Sequence, residues 1–412
     1  MYETFYHNLP NGVQIVHRPT PSPVVYVGLM IGAGTRHEHP NENGMAHYIE
    51  HCLFKGTEHY SARQIINHIE GIGGEINAYT TKEETTFYAA TLNNHFRTTL
   101  HLLADMVLRP TFNKKETDKE VTVILDEIES YNDSPSELIY DDFENMIFEG
   151  SSLAMPILGT KKTLRRISKS PKYPLGWMAK HYRPERMVLF VQGNVSTKQV
   201  ISAAEKELLS ETRYPIAETR YPIADTRYPI ANTRTYKRHT HQTHIMLGSH
   251  TYPIGHPKQL TMFLLNNILG GSSMSSRLYL SLREKHGLVY NIDSQAVPLS
   301  DTGYWNIYLA CEPQHKNQCL ELCHKELLTL RDVRLTSSQL QRALRQLEGQ
   351  LAISAENQEN NALAMAKQML YYHRAPQWQE TFEKVKQITP SQLQEVANEI
   401  FSPEKIYTLL YD

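Results

Sequence analysis

The chain has few cysteines, almost no net charge and no long apolar run, and each shortage excludes a class of protein. Four cysteines in 412 residues are too few for a disulfide framework. Lys and Arg number 42 against 44 Asp and Glu, so the net charge of -2 gives no reason to expect binding to nucleic acid or to an anionic membrane. No apolar run reaches the length of a membrane span. The first residues lack the basic start and apolar core of a secretory signal, so the sequence predicts a soluble, cytoplasmic protein.

An H-x-x-E-H motif formed by His47, Glu50 and His51 is the strongest chemical signal. A helix is predicted around it, because the polar residues Asn41 to Asn43 offer N-terminal caps and Gly56 follows the segment. Residues i and i+4 of a helix are neighbours, so both imidazoles can share one metal ion, with the carboxylate on the same face. Two imidazoles, a third protein ligand and a water are typical of catalytic zinc, where a carboxylate can take the proton of the water. The alternative is a chance motif in a protein with 20 histidines.

The segment Asn113 to Tyr131 offers candidates for the third ligand. Its apolar residues recur at spacings of three and four and form one helical stripe: Val121, Ile124, Ile128 and Tyr131. Glu120 and Glu127 border this stripe, whereas Asp126 and Glu129 project to the solvated side. A carboxylate against a buried face normally has a partner, and a cation between two helices would provide one. We predict Glu127 as the third ligand and Glu120 as an outer residue that orients a ligand or tunes the water; an ordinary charged helix flank is the alternative.

The order of these residues resembles the inverzincin pattern of the pitrilysin and insulysin peptidases, a family that includes the mitochondrial processing peptidase. The motif is followed, 76 positions past His51, by a glutamate that is preceded by another seven residues earlier. Further matches to the family lie in both halves of the chain: Phe54 to Thr57, Gly73-Gly74, Asn77 to Thr80, Glu83, Thr85, Tyr88, Gly270 to Ser273, Arg277-Leu278, Leu282 to Lys285 and Gly287 to Tyr290. The resemblance implies a Zn²⁺ cofactor and peptide-bond hydrolysis, with Glu50 as the general base.

The resemblance also implies residues that contact the substrate. In the family a strand edge pairs with extended substrate, so the backbone of Asn77 and Ala78 is expected to serve as that platform, with a purely structural strand as the alternative. The family also has an arginine and a tyrosine that act on substrate at the spacing of Arg283 and Tyr290. A guanidinium can orient a peptide carbonyl, and a phenol can donate to the oxyanion of a tetrahedral intermediate. Without the resemblance, both would be interpreted as structural.

A repeated segment lies near the middle of the chain. The sequence Thr-Arg-Tyr-Pro-Ile-Ala starts at Thr212 and recurs from Thr219 and Thr226. The proline in each copy excludes a continuous helix despite the seven-residue period. An exposed, extended or mobile linker is therefore predicted, with a binding role of the repeats as the alternative.

The order of elements predicts two related domains. Patterns of strands, then helices, then strands in the first half restart near Thr243 without the H-x-x-E-H motif. We predict an α+β fold with two homologous domains, each a mainly antiparallel sheet with helices packed on one face. The first, 1–210, is the zinc-binding catalytic domain; 211–236 is the linker; and 237–412 is the C-terminal domain that carries Arg283 and Tyr290.

The predicted function is a zinc-dependent endopeptidase, and the resemblance implies that it hydrolyses short unfolded peptides in an enclosed chamber. One alternative is a non-catalytic structural subunit of the same fold, although such family members typically lack part of the metal set. The other is a presequence-processing peptidase with narrow specificity. Larger relatives join four such domains, of which the first supplies zinc and the last supplies the Arg and Tyr. A chain with two domains and both residue sets therefore predicts a homodimer with sites completed in trans, with a heterodimer with a related chain as the alternative.

Overall fold

The computed structural model describes residues 3–209, 230–238 and 240–412 and contains two sheets of mostly antiparallel strands flanked by helices. This arrangement confirms the predicted α+β class. The Thr212 and Thr219 copies of the repeat and most of the predicted linker 211–236 lie outside the described residues. The end of that range, Thr233–Tyr236, is a strand of the second sheet rather than linker.

Among the residues that the structure describes, the first half of the chain contains six strands and the helices that connect them. In chain order they are β1 (Phe5–Asn8), β2 (Gln14–Pro19), β3 (Val24–Ile31), α1 (Met45–Leu53), α2 (Ala62–Glu70), β4 (Glu75–Thr80), β5 (Thr85–Leu92), α3 (Phe96–Leu108), α4 (Lys114–Asn132), α5 (Pro135–Ile147), α6 (Lys161–Ile167), α7 (Lys172–His181), β6 (Met187–Gly193) and α8 (Thr197–Leu208).

The second half, as far as the structure describes it, contains five strands. In chain order its elements are β7 (Thr233–Tyr236), β8 (Thr243–His250), α9 (Gln259–Gly270), a π-helical segment (Tyr279–Lys285), β9 (Val289–Pro298), β10 (Gly303–Cys311), α10 (Lys316–Asp332), α11 (Ser337–Ser354), α12 (Gln358–Tyr372), α13 (Trp378–Val385), α14 (Pro390–Ile400) and β11 (Tyr407–Tyr411). No helix of the described residues combines the length and apolar character needed to cross a membrane.

The two sheets share one strand order. The first runs β1-β2-β6-β3-β5-β4 and the second β7-β11-β8-β10-β9. Without β1, the strands correspond one to one, and in each sheet the first pair is parallel while the others are antiparallel. Two homologous domains are expected to share such a strand order. It also places β4 and β9 at equivalent free edges of their sheets.

Both faces of the first sheet are covered by helices. Side chains of a strand alternate between faces, so Val27 and Leu29 of β3 join the main core with α3, whereas Met30 points to the other side. There Met30 and Phe190 pack against Met365 of α12. We predicted helices on one face of the sheet, and the structure adds α12 on the second face.

The second sheet is covered on its second face by α5, which comes from the first half of the chain. Trp305 of β10 lies in the main core of this sheet, while Tyr304 and Tyr308 point the other way. The Tyr308 ring lies 5.4 Å from the ring of Tyr140 in α5, and the Tyr304 hydroxyl donates to Glu144 at 2.5 Å. Tyr140 and Glu144 of α5 thus cover the tyrosines on the second face of this sheet.

Each compact unit of the chain therefore takes one segment from the opposite half. The unit built on the first sheet includes Ala355–Pro376, and the unit built on the second sheet includes Ser130–Gly150. These two segments carry α12 and α5. The units are discontinuous in sequence, whereas the predicted domain ranges 1–210 and 237–412 are continuous and stay a prediction.

Candidate metal centre

The helix that carries the H-x-x-E-H motif begins where two backbone segments meet closely. Helix α1 starts directly after Gly44, whose φ of +90° lies in the left-handed region that favours glycine. A Cβ atom at this position would lie 2.8 Å from Gly159 Cα and 2.9 Å from the Leu158 carbonyl oxygen. Both the conformation and the close approach therefore require glycine at the start of α1.

The carboxyl group of Glu38 accepts the first hydrogen bonds of α1. The backbone N–H groups of Gly44 and Ala46 donate to it at 2.8 and 2.7 Å. The prediction that Asn41 to Asn43 cap this helix was wrong: Asn43 instead donates to Glu38 at 3.1 Å. A carboxyl group near the N-terminus satisfies unpaired N–H groups and is favoured by the helix dipole. Because Glu38 lies eight residues before Ala46, the local pattern gave no signal for this contact.

Three side chains from two helices converge at one point. His47 and His51, one turn apart on α1, have ring centroids 4.6 Å apart. The Glu127 carboxylate of α4 lies 3.8 Å from His47 Nε2 and 3.6 Å from His51 Nε2. One ligand atom from each residue lies within 4.8 Å of the others, as required of a group that could hold a metal ion. Two imidazoles and a carboxylate with room for a water suit zinc.

Glu120 contacts His51 at Nδ1, the ring nitrogen that does not face Glu127. His51 Nδ1 lies 3.1 Å from Glu120 Oε2, and the Lys55 ammonium lies 2.9 Å from Glu120 Oε1. When His51 donates from Nδ1, the lone pair of Nε2 faces Glu127, which is the tautomer that a ligand needs. The structure thus places Glu120 where an outer residue that orients a ligand would lie, with its charge balanced by Lys55.

Burial and neighbouring charges favour this donor set. Burial lowers the pKa of His47 to about 4, with His51 adding to the effect and Glu127 opposing it. At His51 burial is opposed by the carboxylates of Glu127 and Glu120, and the pKa is raised. The pKa of Glu127 is lowered, first by His51, although burial opposes the shift. With a pKa of about 4, His47 keeps a ring nitrogen lone pair for a metal at neutral pH, and a divalent cation would supply the positive charge with which the Glu127 carboxylate pairs.

Glu50 lies on α1 between the two histidines and has one strong hydrogen bond. The Thr80 hydroxyl donates to Glu50 Oε2 at 2.6 Å. Burial raises the pKa of Glu50; the Thr80 hydrogen bond and His51 oppose this shift and Glu127 adds to it. A carboxylate with a raised pKa next to the candidate metal ligands is suited to accept a proton.

The predicted substrate platform lies on the free edge of the first sheet. Asn77 and Ala78 belong to β4, whose only neighbour among the described strands is β5. Asn77 is exposed, and α1 packs beside β4. The structure therefore places both residues on an unpaired edge next to the helix that carries His47 and His51.

Arg283 and Tyr290 meet each other in the second compact unit. The Arg283 guanidinium lies 5.1 Å from the centre of the Tyr290 ring and 4.9 Å from that of Tyr279. Arg283 lies in the π-helical segment, a form that is frequent at functional sites, and Tyr290 is 75 % exposed at the start of β9. Cation–π attraction to the two rings holds the arginine in place. Tyr279 was not among the predicted residues.

Comparison with known proteins agrees with this geometry. Residues 14–161 match the family model described as insulinase (peptidase family M16), and residues 175–347 match the model described as the peptidase M16 inactive domain. The chain belongs to the M16 peptidase family. The first match contains His47, His51 and Glu127, and the second contains Arg283 and Tyr290 of this M16 chain.

Relatives of this M16 chain match over nearly its whole length. A protein of Bacillus subtilis named as an uncharacterized zinc protease is 33% identical over 401 residues, which cover 97% of this chain and 96% of the relative. A protein of Streptomyces coelicolor with the same description is 31% identical and covers 95% of this chain and 86% of the relative.

Two solved structures are similar in fold. The crystal structure of a protease from Helicobacter pylori has a TM-score of 0.91 at 21% identity and covers 100% of both chains. A peptidase M16 inactive domain from Pseudomonas fluorescens has a TM-score of 0.89 at 19% identity and covers 99% of this chain and 97% of that one. At these identities the likeness concerns the fold alone.

Proposed function

We propose that this M16 chain is a zinc-dependent endopeptidase. The observation that carries the proposal is the convergence of His47, His51 and Glu127, with Glu50 on the same helix. The predicted zinc cofactor is confirmed by the names of the relatives together with this donor set. All four residues that the reaction requires are present in the first half of the chain.

In the proposed mechanism His47, His51 and Glu127 hold the ion, and Glu120 keeps His51 in the correct tautomer. Bound zinc would supply Lewis acidity at the scissile carbonyl and at a water. Glu50 accepts the proton of that water as the water attacks the carbonyl carbon, and then delivers it to the leaving amine. The Thr80 hydrogen bond occupies one Glu50 oxygen and leaves the other for the water.

The β4 edge, Arg283 and Tyr290 are proposed to hold the substrate. An extended peptide can add to β4 through main-chain hydrogen bonds at Asn77 and Ala78, which is supported by the unpaired edge. The guanidinium orients a peptide carbonyl, and the phenol donates to the oxyanion. We further propose that the substrates are short unfolded peptides in an enclosed chamber, a proposal supported by the family resemblance.

The test is metal analysis combined with cleavage of a random peptide mixture. We expect about one zinc per chain, internal cleavage of many peptides, loss of cleavage with a chelator and recovery when zinc is added back. Mass spectrometry of the products locates the cleaved bonds. A protein without zinc and without cleavage would be a structural subunit instead. Cleavage confined to presequence-like peptides would identify a processing peptidase.

The proposed assembly is a homodimer, in which each zinc site is completed by the partner's Arg283 and the partner's Tyr290. Mixing an inactive Glu50→Gln chain with an inactive Tyr290→Phe chain should restore about a quarter of the wild-type rate, because half of randomly mixed dimers contain both chains and each has one intact site. Peptide cleavage after subunit exchange measures this recovery.

The control mixes two chains that each carry a substitution in the zinc site. Glu50→Gln mixed with Glu127→Ala leaves no intact zinc site in any dimer, so we expect no recovery. If both mixtures stay inactive while mass measurements show mixed dimers, the site is not shared between chains. If no homodimer forms, the heterodimer with a related chain becomes the better proposal.

A further inference from the structure

The hairpin formed by β4 and β5 contacts the proposed general base through one side chain. Thr80, the last residue of β4, donates to Glu50 Oε2 at 2.6 Å, the distance of a strong charge-assisted hydrogen bond. The two residues are thirty positions apart in the sequence and lie on different elements. This is the one hydrogen bond of Glu50 found among the described residues, so it decides how the carboxylate is oriented.

The single proton of the Thr80 hydroxyl has one good acceptor. Its other neighbour is the Thr85 hydroxyl, which lies opposite in the hairpin register at 3.5 Å. The Thr85 hydroxyl donates its own proton to the Ala33 carbonyl oxygen at 2.8 Å. The Thr80 proton therefore goes to Glu50 Oε2, and Oε1 remains the oxygen that can face the attacking water.

The turn that follows Thr80 is anchored more firmly than a hairpin turn requires. Lys82, Glu83 and Glu84 are all at least nine-tenths buried, although charged turn residues are usually solvated. Within the turn, the Thr81 hydroxyl accepts from the N–H groups of Glu83 and Glu84 at 3.2 and 3.1 Å. The Lys82 ammonium donates to the Met155 carbonyl oxygen at 2.7 Å. The backbone just beyond Thr80 is thus fixed by several independent contacts.

Helix α12 supplies further anchors for the same turn. Lys367 and the Tyr371 hydroxyl donate to the Glu84 carboxylate at 2.6 and 2.7 Å, and Arg36 pairs with Glu83. Buried carboxylates need such partners to be stable. The result is a rigid support that extends from a helix of the second half of the chain to the hydroxyl of Thr80.

We infer that Thr80 is a positioning residue that holds the Glu50 carboxylate toward the attacking water, an inference that rests on the proposed function. Proton transfer requires the base to lie within hydrogen-bond reach of the water, and a misplacement of about 1 Å can cost about 100-fold in rate. The hydroxyl acts through Glu50 and does not touch the substrate. The buried turn and α12 keep this hydroxyl in place.

The test compares variants of Thr80 in the full-length, zinc-loaded protein. Thr80→Val keeps the shape and removes the donor, so we expect kcat to fall about 10- to 100-fold with little change in KM and with zinc content unchanged. Thr80→Ser keeps the donor and should stay within about 3-fold of wild type. Thr91→Val is the matched control, because Thr91 is also a buried hydroxyl of this hairpin but pairs with Thr99, and its kcat should be unchanged.

A double variant distinguishes an effect of Thr80 that acts through Glu50 from a general disturbance of the structure around Thr80. In the Glu50→Gln background, adding Thr80→Val should change the residual kcat by less than about 3-fold, since coupled residues are not additive. An undiminished kcat in Thr80→Val, a loss that serine does not restore, or an equal loss in the Glu50→Gln background would overturn the inference. A main effect on KM would also overturn it and would assign Thr80 to the substrate-binding strand.

Thr80→Val could fail to fold, and the wild-type protein could lack peptidase activity; each outcome has its own consequence. If thermal unfolding shows that Thr80→Val does not fold, Thr80→Ala removes the same donor with a smaller side chain and takes its place. A wild-type protein without peptidase activity contradicts the proposed function itself. An active wild type with an equally active Thr80→Val contradicts only the inference about Thr80.

Discussion

Replacing Glu50 by glutamine is expected to lower kcat by about 10²- to 10⁴-fold while zinc stays bound. The amide has nearly the shape of the carboxylate and can still accept from the Thr80 hydroxyl, but it cannot take the proton of the water. His47, His51 and Glu127 are unchanged, so the group that could hold the ion remains intact. Initial rates on a cleavable peptide and metal content of the dialysed protein are the two measurements.

The Glu50→Gln variant also shows whether Glu50 acts as the general base or supports metal binding. KM should stay close to wild type, because the substituted side chain binds no part of the substrate in the ground state. Loss of zinc together with activity would show that residue 50 supports the metal instead. A turnover close to that of the wild type would remove Glu50 from the role of general base.

Replacing Glu127 by alanine is expected to abolish both zinc binding and cleavage. Its carboxylate is the third member of the donor group, within 3.8 Å of both imidazole Nε2 atoms, and it supplies the negative charge that partly balances the cation. Removing a partner outside the ligand set typically costs about 10- to 100-fold in metal affinity, so losing a ligand should cost more. Zinc titration of the apoprotein measures the change in dissociation constant, and high zinc should restore part of the activity.

Glu129→Gln provides a control for the loss of one negative charge from α4. Glu129 lies two residues further along α4, carries the same charge and is exposed on the opposite side of the helix. We expect wild-type zinc content and activity for it. If Glu127→Ala and Glu129→Gln bind zinc equally well, the third ligand must be another residue, and the proposed centre would have to be redrawn.

The local periodicity of helices accounts for what the sequence could predict about the site. The i, i+4 spacing brings His47 and His51 together on any regular helix, and the apolar stripe of α4 distinguishes Glu120 and Glu127 from exposed carboxylates such as Glu129. The α+β class follows for the same reason, because alternation and helical spacing are local patterns. The meeting of α1 and α4 was inferred from carboxylates that border a buried face and need a cation as partner, and the family resemblance agreed with it. No local pattern gives the distance between the two helices.

Contacts between distant segments explain what the sequence missed. Glu38 reaches the start of α1 from outside the helix, and Thr80 reaches Glu50 from a hairpin. Each contact depends on how elements pack, and a threonine at the end of a strand or a glutamate outside a helix has no local pattern that predicts its partner. Likewise, the apolar face of α12 is visible in its spacing, but the sheet that it covers is not.

The position of α12 in the chain has a consequence for biosynthesis. The last strand of the first sheet is β6, which ends at Gly193, whereas the helix that covers its second face ends at Tyr372. During translation Met30, Val188 and Phe190 therefore stay open to water until most of the polypeptide has left the ribosome. An apolar surface that waits so long is a site for aggregation and for chaperone binding. The unit that contains most of the first half of the chain therefore cannot be completed until α12 has been made.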